Sequence, residues 1–470
     1  MTRLGFWQRS SGLPGDPAEE IRRAAEIRAE LDRLRAENRK LHDEQALLKE
    51  MRQKRLAESR QTQKETKERR ERERQECAAQ WLRRREKEIL YLGEEVSARL
   101  NNLKSDAERL KANNLPVFNR PEELAQAMNL TVGKLRFLAF ARRTSETTHY
   151  IHFRLPKKTG GFRQISAPMP ELKSAQTWIL DNILNCVAVN EAAHGFLPEK
   201  NIVTNARPHV GAKTIINFDL ENFFPSITYK RVKGVFASFG YAETIATVFA
   251  LICTAPEVEE VEIDGKTYFV ALTDRHLPQG SPASPMISNI AARRLDKSLT
   301  KIAESKGFKY TRYADDLTFS TVEAEADVSK LMTQVRYVVE KQGFKVNENK
   351  TRVLRRGRQQ EVTGIVVNDK ISLDRKTLRK FRAVLHQAES NGLEGLRWGH
   401  SPDLIAALKG YANFVFMVDK EKGFIFRQQV ERIIEKHGWQ PRPPRFVPKQ
   451  KLTETEKPQP NERKPWWKLW

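Results

Sequence analysis

The sequence predicts an α+β protein carried behind a long helical arm, and three observations predict it. From about Ala18 to Asn113 the chain is rich in Glu, Arg, Lys, Gln and Ala, with no Pro and a single Gly93, a composition of extended helix rather than packed globule. From Leu115 onward Pro116 and Pro121 break that pattern, and short apolar runs alternate with Gly and Pro clusters as short strands and helices do. From Leu373 to His437 the apolar spacing is helical again. The implied order is a disordered start over 1–17, a helical, coiled-coil-like arm over 18–113, a mixed domain over 114–372, a helical domain over 373–439 and a disordered basic tail over 440–470.

Within the arm, Ile27, Leu31, Leu34, Asn38, Leu41, Gln45 and Leu48 alternate steps of four and three, with leucines at d and an Asn at one a position. That spacing resembles a parallel two-stranded zipper, in which Asn38 against its twin disfavours other registers at some cost in stability. A solvated single helix is the competing account. The arm thus offers a surface for self-association or for an effector protein. Between Arg52 and Arg74 the seam gives way to alternating charges, and Trp81, Ile89, Leu92, Val96, Leu100 and Leu103 then restore a helical stripe.

The 83 Lys and Arg against 60 Asp and Glu give a net charge of +23, which favours phosphate polyanions, nucleic acid above all, because the excess is spread along the chain. Cys77, Cys186 and Cys253 are far apart and form no CxxC pair, so neither a disulfide framework nor a zinc cage is suggested and a reducing cytoplasm fits. The first residues lack an export signal, and the most apolar run, Ala246 to Cys253, is far shorter than the ~20 residues a spanning helix needs. No transmembrane segment is expected. At the other end Trp466, Trp467 and Trp470 stand with Lys464, Lys468 and Leu469 after a Pro-bearing linker, which suits docking into a partner's groove, stacking on unpaired bases, insertion at an anionic membrane surface or packing back on the rest of the chain.

The chemistry is expected in two segments. TIINFDLENFFPSI, Thr214 to Ile227, reads as a buried strand ending in Asp219 and turning into a helix. KYTRYADDLTFS, Lys309 to Ser320, reads as a hairpin with Asp315 and Asp316 at its tip. Adjacent carboxylates repel one another at a strand turn unless a cation neutralises them, so a divalent metal site is the economical reading.

The order of the Asp219 segment, LPQGSPASPMISN at Leu277 to Asn289 and YADD at Tyr313 to Asp316 resembles motifs A, B and C of reverse transcriptases. GFKVNENKT at Gly343 to Thr351 resembles their fourth motif, and KKTGGFRQISAP at Lys157 to Pro168 resembles the fingers hairpin over the incoming nucleotide. NARPH at Asn205 to His209, VTG at Val362 to Gly364 and the run His194, Gly195, Phe196 narrow the resemblance to the retron-type enzymes of bacteria. Group II intron maturases and other mobile-element polymerases share YADD and PQGSP, yet no maturase region follows the last helices. A polymerase-derived RNA-binding assembly protein is a further alternative, disfavoured by intact Asp219, Asp315 and Asp316.

The resemblance implies a right-hand polymerase of fingers, palm and thumb. It implies an RNA-directed DNA polymerase that copies part of a structured noncoding RNA into covalently linked, branched RNA–DNA, in antiphage defence. The partners are then the RNA template and primer, the DNA product and dNTPs. Two Mg²⁺ ions are the expected cofactors, because hard cations take oxygen ligands and a pair of them clamps both oxygens of an in-line displacement. Asp219 and Asp315 bridge the ions, Asp316 completes the site, and Lys350 is placed to protonate pyrophosphate. Lys157 and Arg163 would grip the triphosphate beside Gly160 and Gly161. Phe224 would exclude a ribose 2′ hydroxyl, and Gln279, Gly280 and Ser281 would line the nascent base pair. Asn205, His209, Arg375, Lys376 and Arg379 are the expected RNA-binding residues, with Lys380 and Arg382 beside them.

Overall fold

The computed structural model describes residues 17–156 and 160–440, and the chain divides into two compact units between Lys87 and Glu88. The first contains two helices, Pro17–His42 and Glu44–Lys87. The longer has no buried residue. Ion pairs such as Arg33–Glu37, Lys54–Glu50 and Arg69–Glu73 lie along the arm at i,i+4 spacing, each worth a few tenths of a kcal/mol (~0.3–0.5).

The second unit begins earlier than the sequence suggested. Residues 88–106 form turns and irregular chain rather than the expected helical stripe, and the next helix is Ala107–Ala112. Ile89, Leu92, Val96, Leu100 and Leu110 are buried in the main core. The helical arm therefore ends near Lys87, not Asn113. The apolar side chains at 89–110 serve the globule, and a packed irregular segment can share the spacing of a helix stripe.

An antiparallel four-stranded sheet organises this unit, in the order Lys309–Tyr313, Asp316–Thr321, Thr214–Asp219, Arg352–Arg355. The Thr214–Asp219 strand is covered on both faces. Ile216 and Phe218 enter the main core with Leu317 and Phe319, and Ile215 enters a second core. Because side chains alternate along a strand, Asn217 and Asp219 share the face of Ile215 and point away from the main core. The main core also takes the helices Tyr229–Phe239, Glu243–Cys253, Ser284–Ala291, Arg293–Glu304 and Val328–Lys341. Every residue from Thr244 to Cys253 is buried, so the apolar run at Ala246 is a core helix. Among the described residues no helix is long and apolar enough to cross a membrane.

The second core is built by the helices Arg375–Ser390, Leu404–Val418 and Lys420–His437 around Phe381, whose ring meets Trp398, Tyr411 and Phe426 with centroids 4.6–5.3 Å apart. These separations suit edge-on aromatic packing. Val203, Ala206, Val362 and Ile365 join the same cluster, so these helices and the sheet share apolar surface.

Candidate active site

Asp219 closes its strand and pairs in register with Asp316, the first residue of the neighbouring strand. Asn217 and Thr318 form the next pair on the same face, joined by a 3.2 Å hydrogen bond from Thr318 Oγ1 to Asn217 Oδ1. Asp315 sits in the two-residue turn between Tyr313 and Asp316, which are themselves cross-strand partners. Its carbonyl accepts from the Leu220 amide at 3.0 Å, and the Asp219 carbonyl accepts from the Asn347 amide at 2.7 Å. Three separate chain segments thus fix the three carboxylates at one end of the sheet.

The turn is held from behind. Ala314 has a positive φ of 55°, unusual for a residue with a Cβ, and Gly195 lies against it so closely that a Cβ there would come within 2.8 Å of the Ala314 nitrogen. Only glycine permits that approach. Arg312, fully buried, donates to both carboxylate oxygens of buried Asp296 at 2.7 Å, to Asn289 Oδ1 at 3.0 Å and to the Ala314 carbonyl at 3.1 Å. Asn289 in turn donates to the Gly195 carbonyl at 2.8 Å. Burial alone would destabilise the guanidinium, but Asp296 outweighs it and holds Arg312 above its ordinary pKa. Neither Asp296 nor Arg312 figured among the expected site residues. One signal was available: Asp296 occupies the apolar stripe of its helix with Leu295, Leu299 and Ala303.

Electrostatically the carboxylates are crowded. Desolvation, and then the charges of Asp315 and Asp219, push Asp316 up to about 7, and desolvation with Asp219 also raises Asp315. The Asp316 side chain remains open to solvent, so the like-charge repulsion, which a cation relieves, is the more telling cause. A cation of the chain's own is already present: Lys350 Nζ stands 2.8 Å from Asp219 Oδ1, and its pKa is raised by that bond and by all three carboxylates. The donor set is all oxygen, anionic and cation-seeking, which fits a hard divalent ion. Among the described residues no three His, Cys, Asp or Glu side chains are closed into a ready metal cage.

Several of the residues expected to meet the nucleotide are placed by the structure. Phe224 is half-buried, and its ring lies 6.2 Å from that of Phe196, which lies 6.4 Å from that of Tyr313. Phe196 is 45% exposed with a positive φ of 60° and forms part of this aromatic wall; the sequence marked it only as part of the His194–Phe196 run, with no role beside Phe224. The PQG loop packs on the hairpin of strands Tyr150–Pro156 and Phe162–Pro168: the Gln279 carbonyl accepts from the Ser166 amide at 2.8 Å. A Cβ on Gly280, at φ +117°, would stand 2.9 Å from the Ser166 oxygen. Ser281 donates to buried Gln176 at 2.9 Å. Arg163 is exposed on this hairpin, and its charge reaches Asp315. Lys157 lies outside the described residues, as do Trp466, Trp467 and Trp470.

Two expected RNA contacts require correction. Asn205 and His209 are fully buried, so neither offers a surface to RNA. His209 bridges Ser320 Oγ at 2.6 Å and Thr311 Oγ1 at 2.8 Å, pinning the two strands of the YADD hairpin, while Asn205 Nδ2 reaches Thr363 Oγ1 at 3.4 Å. The NARPH and VTG segments therefore meet inside the protein. By contrast Arg375, Lys376 and Arg379 are exposed on their helix, whose other face buries Leu378, Phe381 and Leu385.

A family model described as reverse transcriptase (RNA-dependent DNA polymerase) matches residues 155–381. The retron Mx162 reverse transcriptase of Myxococcus xanthus is 40% identical over 341 residues, covering 69% of this chain and 69% of that protein. The retron Mx65 enzyme of the same organism is 38% identical over 333 residues, covering 70% and 78%. The retron Ec86 reverse transcriptase of Escherichia coli is 31% identical over 334 residues, covering 71% of this chain and 95% of that one. With its matched strands ending in the three carboxylates described above, the chain belongs to the retron reverse transcriptases and is an RNA-directed DNA polymerase.

Proposed function

We propose that this enzyme copies part of a structured noncoding RNA into single-stranded DNA that stays covalently attached to it, as a cytoplasmic component of antiphage defence. In this reading residues 114–372 are fingers and palm and 373–439 the thumb, with residues 88–113 now counted with the former. The observation that carries it is the meeting of Asp219, Asp315 and Asp316 at one sheet end, under Lys350, in a chain whose relatives are retron reverse transcriptases.

Asp219, Asp315 and Asp316 would hold two Mg²⁺ ions, which when bound would lower the cost of ionising the attacking hydroxyl and of charge on the departing pyrophosphate. Binding requires Asp219 Oδ1 to exchange its Lys350 partner. Lys350, freed from that bond and set beside the leaving group, would then donate its Nζ proton to pyrophosphate as general acid. Arg163, with Lys157, grips the triphosphate. The Phe224 ring closes the space a 2′ hydroxyl would need, so dNTPs are selected. Gln279 and Gly280 lie beside the new base pair, and Arg375, Lys376 and Arg379 track the phosphate backbone of the template duplex. In the first turnover a 2′ hydroxyl of the RNA attacks the α-phosphorus of a dNTP, forming the 2′,5′ bond and releasing pyrophosphate.

Nucleic acid copurifying with the protein tests the reading. Treatment with RNase is expected to leave one discrete small DNA with a residual ribonucleotide, and the protein is expected to extend a primed RNA with Mg²⁺ and dNTPs. Extension without any copurifying DNA would reject the retron product while keeping the polymerase.

A further inference from the structure

The arm carries apolar surface that its own unit leaves uncovered. Ile27, Leu31, Leu34, Leu41 and Leu48 are between 44% and 65% exposed, and they fall on one line of the helical arm. Burying a leucine is worth about 1.5–3 kcal/mol, so a line of five is a surface that seeks an occupant. We propose that the occupant is the same line on a second copy of this chain, in a parallel, in-register two-stranded coiled coil over residues 24–51.

The flanking charges choose the partner. With Ile27, Leu34, Leu41 and Leu48 at d, the g positions are Arg23, Glu30, Glu37 and Glu44, and the e positions are Arg28, Arg35, His42 and Lys49. In a parallel pair each g residue faces the e residue of the partner's next heptad. Glu30 then meets Arg35 of the other copy, Glu37 meets His42 and Glu44 meets Lys49. Only the outermost pair, Arg23 with Arg28, is repulsive. An antiparallel pair would set g against g and e against e, stacking Glu on Glu and base on base along the same length, and like charges so placed destabilise. The pattern is therefore self-complementary in one orientation. Asn38, at a central a position, fixes the register by pairing with its own copy.

The break between the two helices does not interrupt this surface. It falls at Asp43, an f position on the outer side, and the helical ladder carries across it: the Asp43 amide donates to the Arg39 carbonyl and the Leu47 amide to the Asp43 carbonyl, each at 3.0 Å. The Arg33–Glu37 ion pair at 3.6 Å joins solvent-exposed side chains, so its weak attraction yields or shares readily. At the far end the next a and d positions are Arg52 and Arg55, which ends the seam after Leu48.

Sedimentation of the full-length protein, stripped of nucleic acid by nuclease and high salt, tests this. The expected species at micromolar concentration has twice the chain mass. Leu34→Asp with Leu41→Asp should weaken the dimer more than about a hundredfold while primer extension per chain persists. Orientation is tested by Ala24→Cys, an a position that meets its own copy only in a parallel, in-register pair: it should add an intermolecular cross-link on oxidation over wild type, and its failure to do so would overturn the proposal. The flanking charges are tested by two charge-reversed proteins, Glu30→Lys/Glu37→Lys/Glu44→Lys and Arg35→Glu/His42→Glu/Lys49→Glu. Each alone should be monomeric, and their mixture should form a one-to-one heterodimer. A wild-type monomer, a dimer indifferent to both reversals, or a mixture that stays monomeric would each overturn the proposal; capture of a different protein by a monomeric wild-type arm would assign the seam to an effector instead.

Discussion

Arg312 and Asp296 form a bidentate ion pair in which both side chains are 0% exposed and both contacts are 2.7 Å. Arg312 stands three residues before Asp315 and, through the Ala314 carbonyl and Asn289, ties the YADD turn to the Ser284–Ala291 helix and to Gly195. Removing one partner of such a pair strands a buried charge at a cost of about 3–5 kcal/mol, whereas replacing both with apolar groups is often near neutral. Asp296→Asn is therefore expected to lower the Tm sharply. Asp296→Leu with Arg312→Met should recover most of the Tm yet leave primer extension poor, because the hydrogen bonds to Ala314 and Asn289 are gone. Full activity in the folded double variant would show that the pair serves stability alone.

Asp315→Asn is expected to abolish DNA synthesis and leave RNA binding nearly intact, since it removes a metal-seeking charge and keeps the shape. Burial and Asp219 already hold the Asp315 carboxyl above its ordinary pKa, so neutralising it relieves crowding. The Tm should stay level or rise. A variant that still synthesises DNA would remove Asp315 from the metal assignment.

Phe224→Ala is expected to admit ribonucleotides, measured as the ratio of rNTP to dNTP incorporation. Phe196 supports that ring at 6.2 Å, so Phe196→Ala should loosen discrimination by less. Equal effects would place the gate in the aromatic wall as a whole, and no effect of Phe224→Ala would place it elsewhere.

The pH dependence of folding should report His209. Burial pushes its pKa down to about 3, and the neutral ring satisfies both hydroxyls, taking one proton and giving another. A folded value below the unfolded ~6.5 means that the contribution is complete above pH 6.5 and is lost as pH falls toward 3, at about 1.4 kcal/mol per pH unit. His209→Gln should flatten the fall in denaturation free energy between pH 6 and 4 relative to wild type. Parallel curves would show that His209 is protonated in the folded state.

The carboxylates were legible because their chemistry is local: a strand-end acid and an acidic pair at a hairpin tip are written in consecutive residues. The register that pairs Asp219 with Asp316 is shown only by the folded sheet, since alternation fixes the face of a side chain and not its partner. The parts that escaped depend on contacts distant in sequence. Asn205 and His209 carry polar side chains that suggest a surface, but their partners Thr363, Thr311 and Ser320 lie more than a hundred residues away, and only the folded chain shows that both are buried, His209 with both ring nitrogens paired and Asn205 held through its Nδ2. Phe196 is visible in sequence only as part of the His194–Phe196 run, and its role beside the nucleotide residues emerges when Phe224 and Tyr313 are brought next to it.

The end of the arm gives the most direct test of how the chain is divided. Composition puts the boundary near Asn113, whereas packing puts it at Lys87. Leu92 and Leu110 are 0% exposed and Leu100 is 5% exposed, and Thr244 Oγ1 donates to the Leu100 carbonyl at 2.6 Å, so residues 88–113 form part of the wall around the Glu243–Cys253 helix. Losing three buried leucines removes roughly 5–9 kcal/mol of burial, comparable to the whole stability of a domain, about 5–15 kcal/mol. Deleting residues 1–87 should leave a folded polymerase with near wild-type Tm and primer extension. Deleting residues 1–113 should yield insoluble or molten protein. If the shorter truncation also unfolds, the helical arm supports the globule; if the longer one folds and extends primers, the 88–113 segment is dispensable and the boundary belongs at Asn113 after all.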